Sequence, residues 1–315
     1  MHVPTVSVVI PCFNQGHFLA DAIDSVRGQS FQAAELIVVD DGSTDQTRTV
    51  ARRYADVRYL SQPNFGLARA RNRGTRAARG EFLVFLDADD RLRPGALQAG
   101  IREVEAHPSA ALVYGRGQRI DEAGRPLPTS APEPLGSDAY EGLLRRNPIW
   151  TPALAMFRRE ICGGALQFNP AVDASADYDL YLRLSRRHPL HGHTEIVADY
   201  RQHRGSISRN ATLMLSTTLR VSHAQRRHLD TPRRERAYRD GLQNWRALYG
   251  DQVVDQLRAD WRDVRRWPAL AAPLAVLLRH YPAGVAVHAR RKLQRVVASP
   301  GESGADPRPS RMPGG

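Results

Sequence analysis

The chain has 315 residues, 42% of them hydrophobic and 25% charged, a balance that belongs to globular enzymes and excludes fibrous, disordered and membrane-embedded classes. Its two cysteines, Cys12 and Cys162, exclude a disulfide framework and a cysteine-rich zinc site. The net charge of +12 gathers late: residues 211–315 hold 19 Lys+Arg against 9 Asp+Glu, which leaves 26 against 24 for residues 1–210.

The opening MHVPTVSVVIPCFN has no basic n-region, and its apolar run stops at Pro11, which argues against a secretory signal peptide. Residues 6–10 read as a buried strand. Residues 17–27 place Leu19, Ile23 and Val26 on one helical face, and 35–39 form the next strand. A helix capped by Asp45 follows to Tyr54, then a strand at 57–60, a helix at 66–78 and a strand at 82–86. This alternation is the signature of βαβ units and a parallel sheet. Asp40 and Asp41, then Asp87, Asp89 and Asp90, all fall at strand C-terminal ends, where open α/β sheets bind ligands.

Further on, residues 94–106 read as a helix and 110–114 as a strand. The Pro/Gly-rich segment 124–136 reads as a surface loop, a candidate lid or substrate-facing loop, and 176–185 as a helix with Leu180 and Leu184 at i, i+4. Beyond Asn210 the pattern turns to Arg-rich amphipathic helices, for example Val253, Val254, Leu257, Trp261 and Val264. The apolar stretch 268–278 is about half of the ~20 residues needed to span a bilayer. Residues 299–315 carry almost no apolar side chains and read as a disordered tail.

The segments VSVVIPCFN, ELIVVDDGSTD and GEFLVFLDADD, in this order and spacing, resemble the family 2 glycosyltransferases of the GT-A fold. The resemblance continues through Asn64, Gly66, Ala70, Arg71 and Asn72, then RREICGG, DYDLYLRL and YRQHRGSIS, and covers roughly residues 4–210. It implies an α/β, Rossmann-like GT-A domain over 1–210, with a mostly parallel sheet flanked by helices. A helical Arg-rich extension over 211–298 and the tail 299–315 follow.

The activity so implied is an inverting transfer of sugar from a nucleoside diphosphate sugar, expected to be a UDP-sugar, to the hydroxyl of a saccharide or lipid-linked saccharide acceptor in cell-surface polysaccharide or glycoconjugate synthesis. Bare carboxylates repel a diphosphate, so the strand-end acids imply a divalent cation, Mg²⁺ or Mn²⁺. By the resemblance Asp87 contacts the ribose or sugar, Asp89 binds the metal and His203 approaches the metal or the diphosphate. Pro11, Phe13, Asp41, Asn64 and Arg71 complete the donor site. Phe13 stacks on the base or packs in its loop, and Arg71 on its Arg-rich helix meets the donor or faces solvent. Asp41 pairs with the base and Asp40 orients the loop, or both shape a turn with Gly42. Arg201 or Arg204 is available to neutralise phosphate.

The resemblance makes Asp177 the general base, although Ala176 stands where the family carries Glu. Asp177 and Asp179 are also ordinary first-turn helix acids, and Asp173 is the fallback base. Two alternatives remain at this level, a nucleotidyltransferase on a similar sheet and a basic nucleic-acid-binding protein. The first lacks a Gly-rich basic phosphate loop after the first strand, and the second lacks aromatics interleaved with its charge, so no nucleic acid is expected. The Arg-rich extension either rests on an anionic membrane or caps the catalytic domain, and the expected location is the cytoplasm, with peripheral contact at the inner face of the cell membrane.

Overall fold

Every residue of β1 (Val6–Cys12) is buried, because strands flank it on both sides and helices pack against it. The computed structural model describes residues 4–130, 135–261 and 270–282. After β1 come α1 (Gly16–Arg27), β2 (Glu35–Asp40), α2 (Thr47–Ala51), β3 (Val57–Ser61), α3 (Leu67–Ala77) and β4 (Phe82–Phe85). These strands lie parallel in the order β3-β2-β1-β4, with Val9 beside both Ile37 of β2 and Phe85 of β4. Near-continuous Val, Ile, Leu and Phe suits strands covered on both faces.

The sheet continues through β5 (Arg91–Leu92), β6 (Leu112–Ile120), β7 (Ala155–Arg158) and β8 (Leu190–Arg201) in the order β4-β7-β6-β8-β5. β7 runs antiparallel to β4 and β6, and β8 lies parallel to β6 across an irregular register near Tyr114. The helices of this part are α4 (Ala96–Ala106), α5 (Ala139–Arg145), α6 (Arg159–Cys162) and α7 (Ala176–Ser185). After them come α8 (Ala211–Ala224), α9 (Pro232–Trp261) and α10 (Ala271–His280).

Most expected elements appear within a few residues of their expected ends. α2 is shorter than expected mainly at its end, stopping at Ala51 rather than Tyr54, while at its start the Asp45 carboxylate accepts from the Thr47 N–H at 2.9 Å and its hydroxyl at 2.6 Å. β6 is longer, since pairing with β8 holds the polar run 115–120 in the sheet. The described part of the 124–136 loop folds back on β6, where the Leu127 N–H donates to the Arg119 carbonyl at 2.8 Å. Both cysteines are free and buried.

Met1–Tyr249 forms one compact unit and Gly250–Gly315 a second. The first unit takes in α8, whose Leu215 and Leu219 are fully buried, and α9 as far as Tyr249. In the second, the Tyr281 hydroxyl donates to Asp251 Oδ1 at 3.0 Å. Val264 and the tail 299–315 lie outside the described residues. Among the described residues no helix is long and apolar enough to cross a membrane.

Candidate active site

The C-terminal ends of β1, β2 and β4 deliver their polar residues to one side of the sheet, as parallel topology requires. Asp40 Oδ1 accepts from the Ser43 N–H at 2.8 Å and Oδ2 from the Tyr59 hydroxyl at 2.5 Å, so this acid shapes the turn after β2. Asp41 accepts from Gln62 Nε2 at 2.7 Å and from the N–H groups of Phe65 and Gly66 at 3.0 and 2.8 Å. Loop orientation, expected of Asp40, is therefore shared by Asp41, which anchors the loop bearing Asn64 and still lines the cleft described below. Gly42 sits at φ +82°, and a Cβ there would stand 2.7 Å from the Asn64 nitrogen, so only glycine fits the approach of the two loops.

Arg71 on α3 points inward rather than to solvent. It is 3% exposed and donates to Asp87 Oδ1 at 2.6 Å, while its Nε has no hydrogen-bond partner. Burial pulls its pKa down, but Asp87 and Asp177 outweigh this and hold it above the ordinary guanidinium value. Burial raises the Asp87 carboxyl, Arg71 pulls it back, and the neighbouring Asp89 raises it again. Asp89 Oδ2 lies 2.8 Å from His203 Nε2. Asp90 is fully buried, accepts from the Arg201 N–H and the Thr151 hydroxyl, and is pushed well up by burial and then by Asp89 and Asp87.

Burial and like charge hold the Asp87 and Asp90 carboxyls above the ordinary value, with the Asp89 carboxylate a neighbour of both, an electrostatic condition that a bound cation relieves. Carboxylate oxygens of Asp87 and Asp89 with the imidazole of His203 are a donor set that suits Mg²⁺ or Mn²⁺, the imidazole favouring Mn²⁺. Arg201 does not serve phosphate. Its guanidinium is spent on the carbonyls of Asp89 and Glu122, both at 2.8 Å, and on Asp21 Oδ2 at 3.0 Å. Arg204 is exposed, outside the residues that line the cleft.

Asp177 opens α7, accepting from its own neighbour's N–H, that of Tyr178, at 2.8 Å. Burial pushes its carboxyl up to about 6 against the pull of Arg71. Ala176 is fully buried, so packing has closed over the position where the resembled family carries Glu. Asp173 is engaged elsewhere. Its two oxygens accept from the Leu67 and Ala68 N–H groups at 3.2 and 2.6 Å and cap α3 across more than a hundred residues of sequence. That engagement commits both of its oxygens to the start of α3.

Pro11, Phe13, Asp41, Asn64, Arg71, Asp87, Asp89, Asp173 and Asp177 all line one cleft of 590 Å³, and His203 reaches it through Asp89. Phe13 is 44% exposed there, free to stack on a planar ligand. Sequence reasoning missed the aromatic wall of the same cleft. Trp150 meets Tyr200 edge-on at 5.3 Å, Tyr178 meets Trp245 at 5.5 Å, and Trp245 stacks on Tyr249 at 6.0 Å. The sequence signal was slight, a lone Trp150 in NPIW and the Trp245 and Tyr249 of NWRALY, on segments that have no local reason to meet.

Comparison with known proteins bears on this arrangement. The family model described as "Glycosyl transferase family 2" matches residues 7–164. The chain is 32% identical over 197 residues to a chondroitin synthase of Escherichia coli, covering 60% of this chain but only 27% of that synthase. It is 31% identical over 216 residues to the putative teichuronic acid biosynthesis glycosyltransferase TuaG of Bacillus subtilis, covering 66% and 82%. The fold resembles that of S. aureus TarS 1–349 in complex with UDP-GlcNAc, at TM-score 0.63 and 17% identity over 77% and 72% of the chains. It also resembles the mannosyltransferase PcManGT of Pyrobaculum calidifontis in complex with GDP-Man and Mn²⁺, at TM-score 0.59 and 18% identity over 89% and 87%. The expected architecture, a mostly parallel sheet flanked by helices in the GT-A arrangement, is the one observed.

Proposed function

The chain belongs to glycosyl transferase family 2, and on that premise we propose that it transfers a sugar from a nucleoside diphosphate donor to a hydroxyl of a saccharide acceptor, with inversion at the anomeric carbon. The observation that carries the reading is the pairing, in one cleft, of the strand-end acids Asp87 and Asp89 with Asp177, whose carboxyl burial pushes up to about 6. Such a group is ionised at neutral pH and more basic than an ordinary carboxylate, which suits a general base. Membership in this family favours sugar transfer over nucleotidyl transfer.

In this reading Phe13 and Pro11 flank the base, Asp41 and Asn64 meet its polar edge, and the buried Arg71 holds Asp87 toward the ribose. The unpartnered Nε of Arg71 adds a donor to the cleft wall. Asp89 and His203 would hold Mg²⁺ or Mn²⁺. Bound there, a divalent ion neutralises the diphosphate as it leaves. Asp177 takes the acceptor hydroxyl's proton as the oxygen attacks the anomeric carbon from the face opposite the diphosphate. UDP is the preferred nucleotide; the TarS complex contains UDP-GlcNAc and the PcManGT complex GDP-Man with Mn²⁺.

Support for a saccharide acceptor comes from the rings of Trp150, Trp245 and Tyr249, flat apolar surfaces on which the C–H face of a pyranose packs. The relatives named for chondroitin and teichuronic acid synthesis support a cell-surface polysaccharide as the product. The excess positive charge of residues 211–315 supports contact with an anionic membrane surface, read as salt-dependent cosedimentation of the full chain with anionic vesicles. The test of the main reading is a screen of nucleotide sugars for Mn²⁺-dependent thermal stabilisation, followed by NMR of the product's anomeric configuration. Retention of configuration, or stabilisation that is equal in EDTA, contradicts it.

A further inference from the structure

Far from the cleft, α4 and β8 bring together a second set of metal-ligating groups. Glu103 lies in the last turn of α4 and His107 caps that helix, four residues apart and therefore on one face. His191 is the second residue of β8, the strand on which α4 packs. One ligand atom from each of Glu103, His107 and His191 lies within 4.8 Å of the others. The imidazoles of His107 and His191 stack with centroids 3.4 Å apart, and His191 Nε2 is 3.6 Å from Glu103 Oε2.

One of these spacings is close to that of a filled site. Bonds of about 2.0–2.1 Å at a tetrahedral ion hold neighbouring ligand atoms about 3.3 Å apart, so the Glu103–His191 pair already stands near coordination distance. All three side chains are half-buried. Arg102 occupies the other oxygen, Glu103 Oε1, at 3.4 Å, and also pairs with Glu195, which turns Oε2 toward the histidines. A ligand carboxylate oriented by a neighbour in this way is a common second layer of metal sites.

We propose that Glu103, His107 and His191 form a binding site for a divalent cation of the zinc class, pinning the end of α4 to the start of β8. Two imidazoles and one carboxylate select Zn²⁺, Co²⁺, Ni²⁺ or Cu²⁺ over Mg²⁺, which prefers oxygen ligands alone. Three protein ligands leave a fourth position for water. None of the three residues lines the cleft. His191 pairs with Val113 and Arg201, the residue beneath Asp89, with Ile120, so seven residues of β6, roughly 23 Å, separate them along the sheet. The two sites therefore differ in ligand chemistry as well as in place.

The test uses the full chain, freed of any affinity tag and carrying Asp89→Ala so that the cleft acids do not compete. Titration with Co²⁺ is expected to give one equivalent of four-coordinate visible absorption that Zn²⁺ displaces, and Zn²⁺ is expected to raise the melting temperature. His107→Ala/His191→Ala removes both signals. The nearly isosteric Glu103→Gln, which preserves packing if the double variant fails to fold, lowers Co²⁺ affinity at least tenfold. Absence of the absorption in the parent, or its survival undiminished in the folded variants, overturns the proposal.

Discussion

Asp89 Oδ2 and His203 Nε2 stand 2.8 Å apart, although 114 residues of chain separate them. The contact closes the end of β8 onto the acidic turn after β4 and makes a mixed oxygen–nitrogen donor pair. Removing the imidazole leaves oxygen ligands alone, which Mg²⁺ and Mn²⁺ share more evenly. His203→Ala is therefore expected to weaken Mn²⁺-dependent nucleotide binding about tenfold and to narrow any preference for Mn²⁺ over Mg²⁺. Calorimetry with each ion measures both, and an unchanged ratio contradicts the assignment.

Arg71 links the two functional acids, because Asp87 and Asp177 both act on its charge. Arg71→Met leaves them without their counter-charge. Breaking a buried pair of this kind costs about 3 kcal/mol, readable as a lowered urea midpoint. With the guanidinium gone, the Asp177 carboxyl titrates still higher, so the acid limb of kcat/KM moves to higher pH. A variant with wild-type stability and an unmoved limb refutes the linkage.

Asp177 also sets a trade between stability and activity. Its carboxyl titrates at about 6 when folded against 3.8 for an ordinary aspartate. Between those values the folded state keeps a proton that the unfolded chain releases, so stability falls as pH rises from about 4 to 6 and stays lower above. Asp177→Asn cannot ionise. It is expected to melt higher than wild type at pH 7.5, by on the order of 2 kcal/mol, and to match it at pH 4. Thermal melts at the two pH values check this, and a variant less stable at pH 7.5 excludes a raised carboxyl.

Much of this was legible in the chain. Val8, Val9 and Ile10, and Leu83, Val84 and Phe85, announce buried parallel strands, and the acids after them mark the cleft. β8 was not legible, because its first half, with His191, His193, Thr194 and Glu195, is polar and at best half-buried and owes its extended form to pairing with β6. For Arg71 the Arg-rich helix left donor contact and solvent exposure both open, and its inward course shows only in its pairing with Asp87. Asp173 offered no signal of its cap on α3, since the Leu67 N–H that it accepts lies 106 residues away in sequence. Long-range hydrogen bonds leave no periodicity to read.

Trp245 and Tyr249 come from α9, beyond the 7–164 span that the family model matches, and both line the cleft. Trp245→Ala is expected to raise the acceptor KM about tenfold while leaving donor binding unchanged, the mark of an interaction made with acceptor alone. Initial rates at varied acceptor, alongside nucleotide calorimetry, separate the two. A loss confined to donor binding would reassign the wall.

The proposed division of labour, in which Asp89 serves the donor and Asp177 the acceptor's proton, is tested most directly by titrating nucleoside diphosphate with Mn²⁺ into wild type, Asp89→Ala and Asp177→Asn, with turnover measured on the same preparations. Asp89→Ala is expected to lose binding and turnover together. Asp177→Asn should bind like wild type yet turn over roughly 10²- to 10⁴-fold more slowly. Undiminished binding by Asp89→Ala, or near-full turnover by Asp177→Asn, would contradict it.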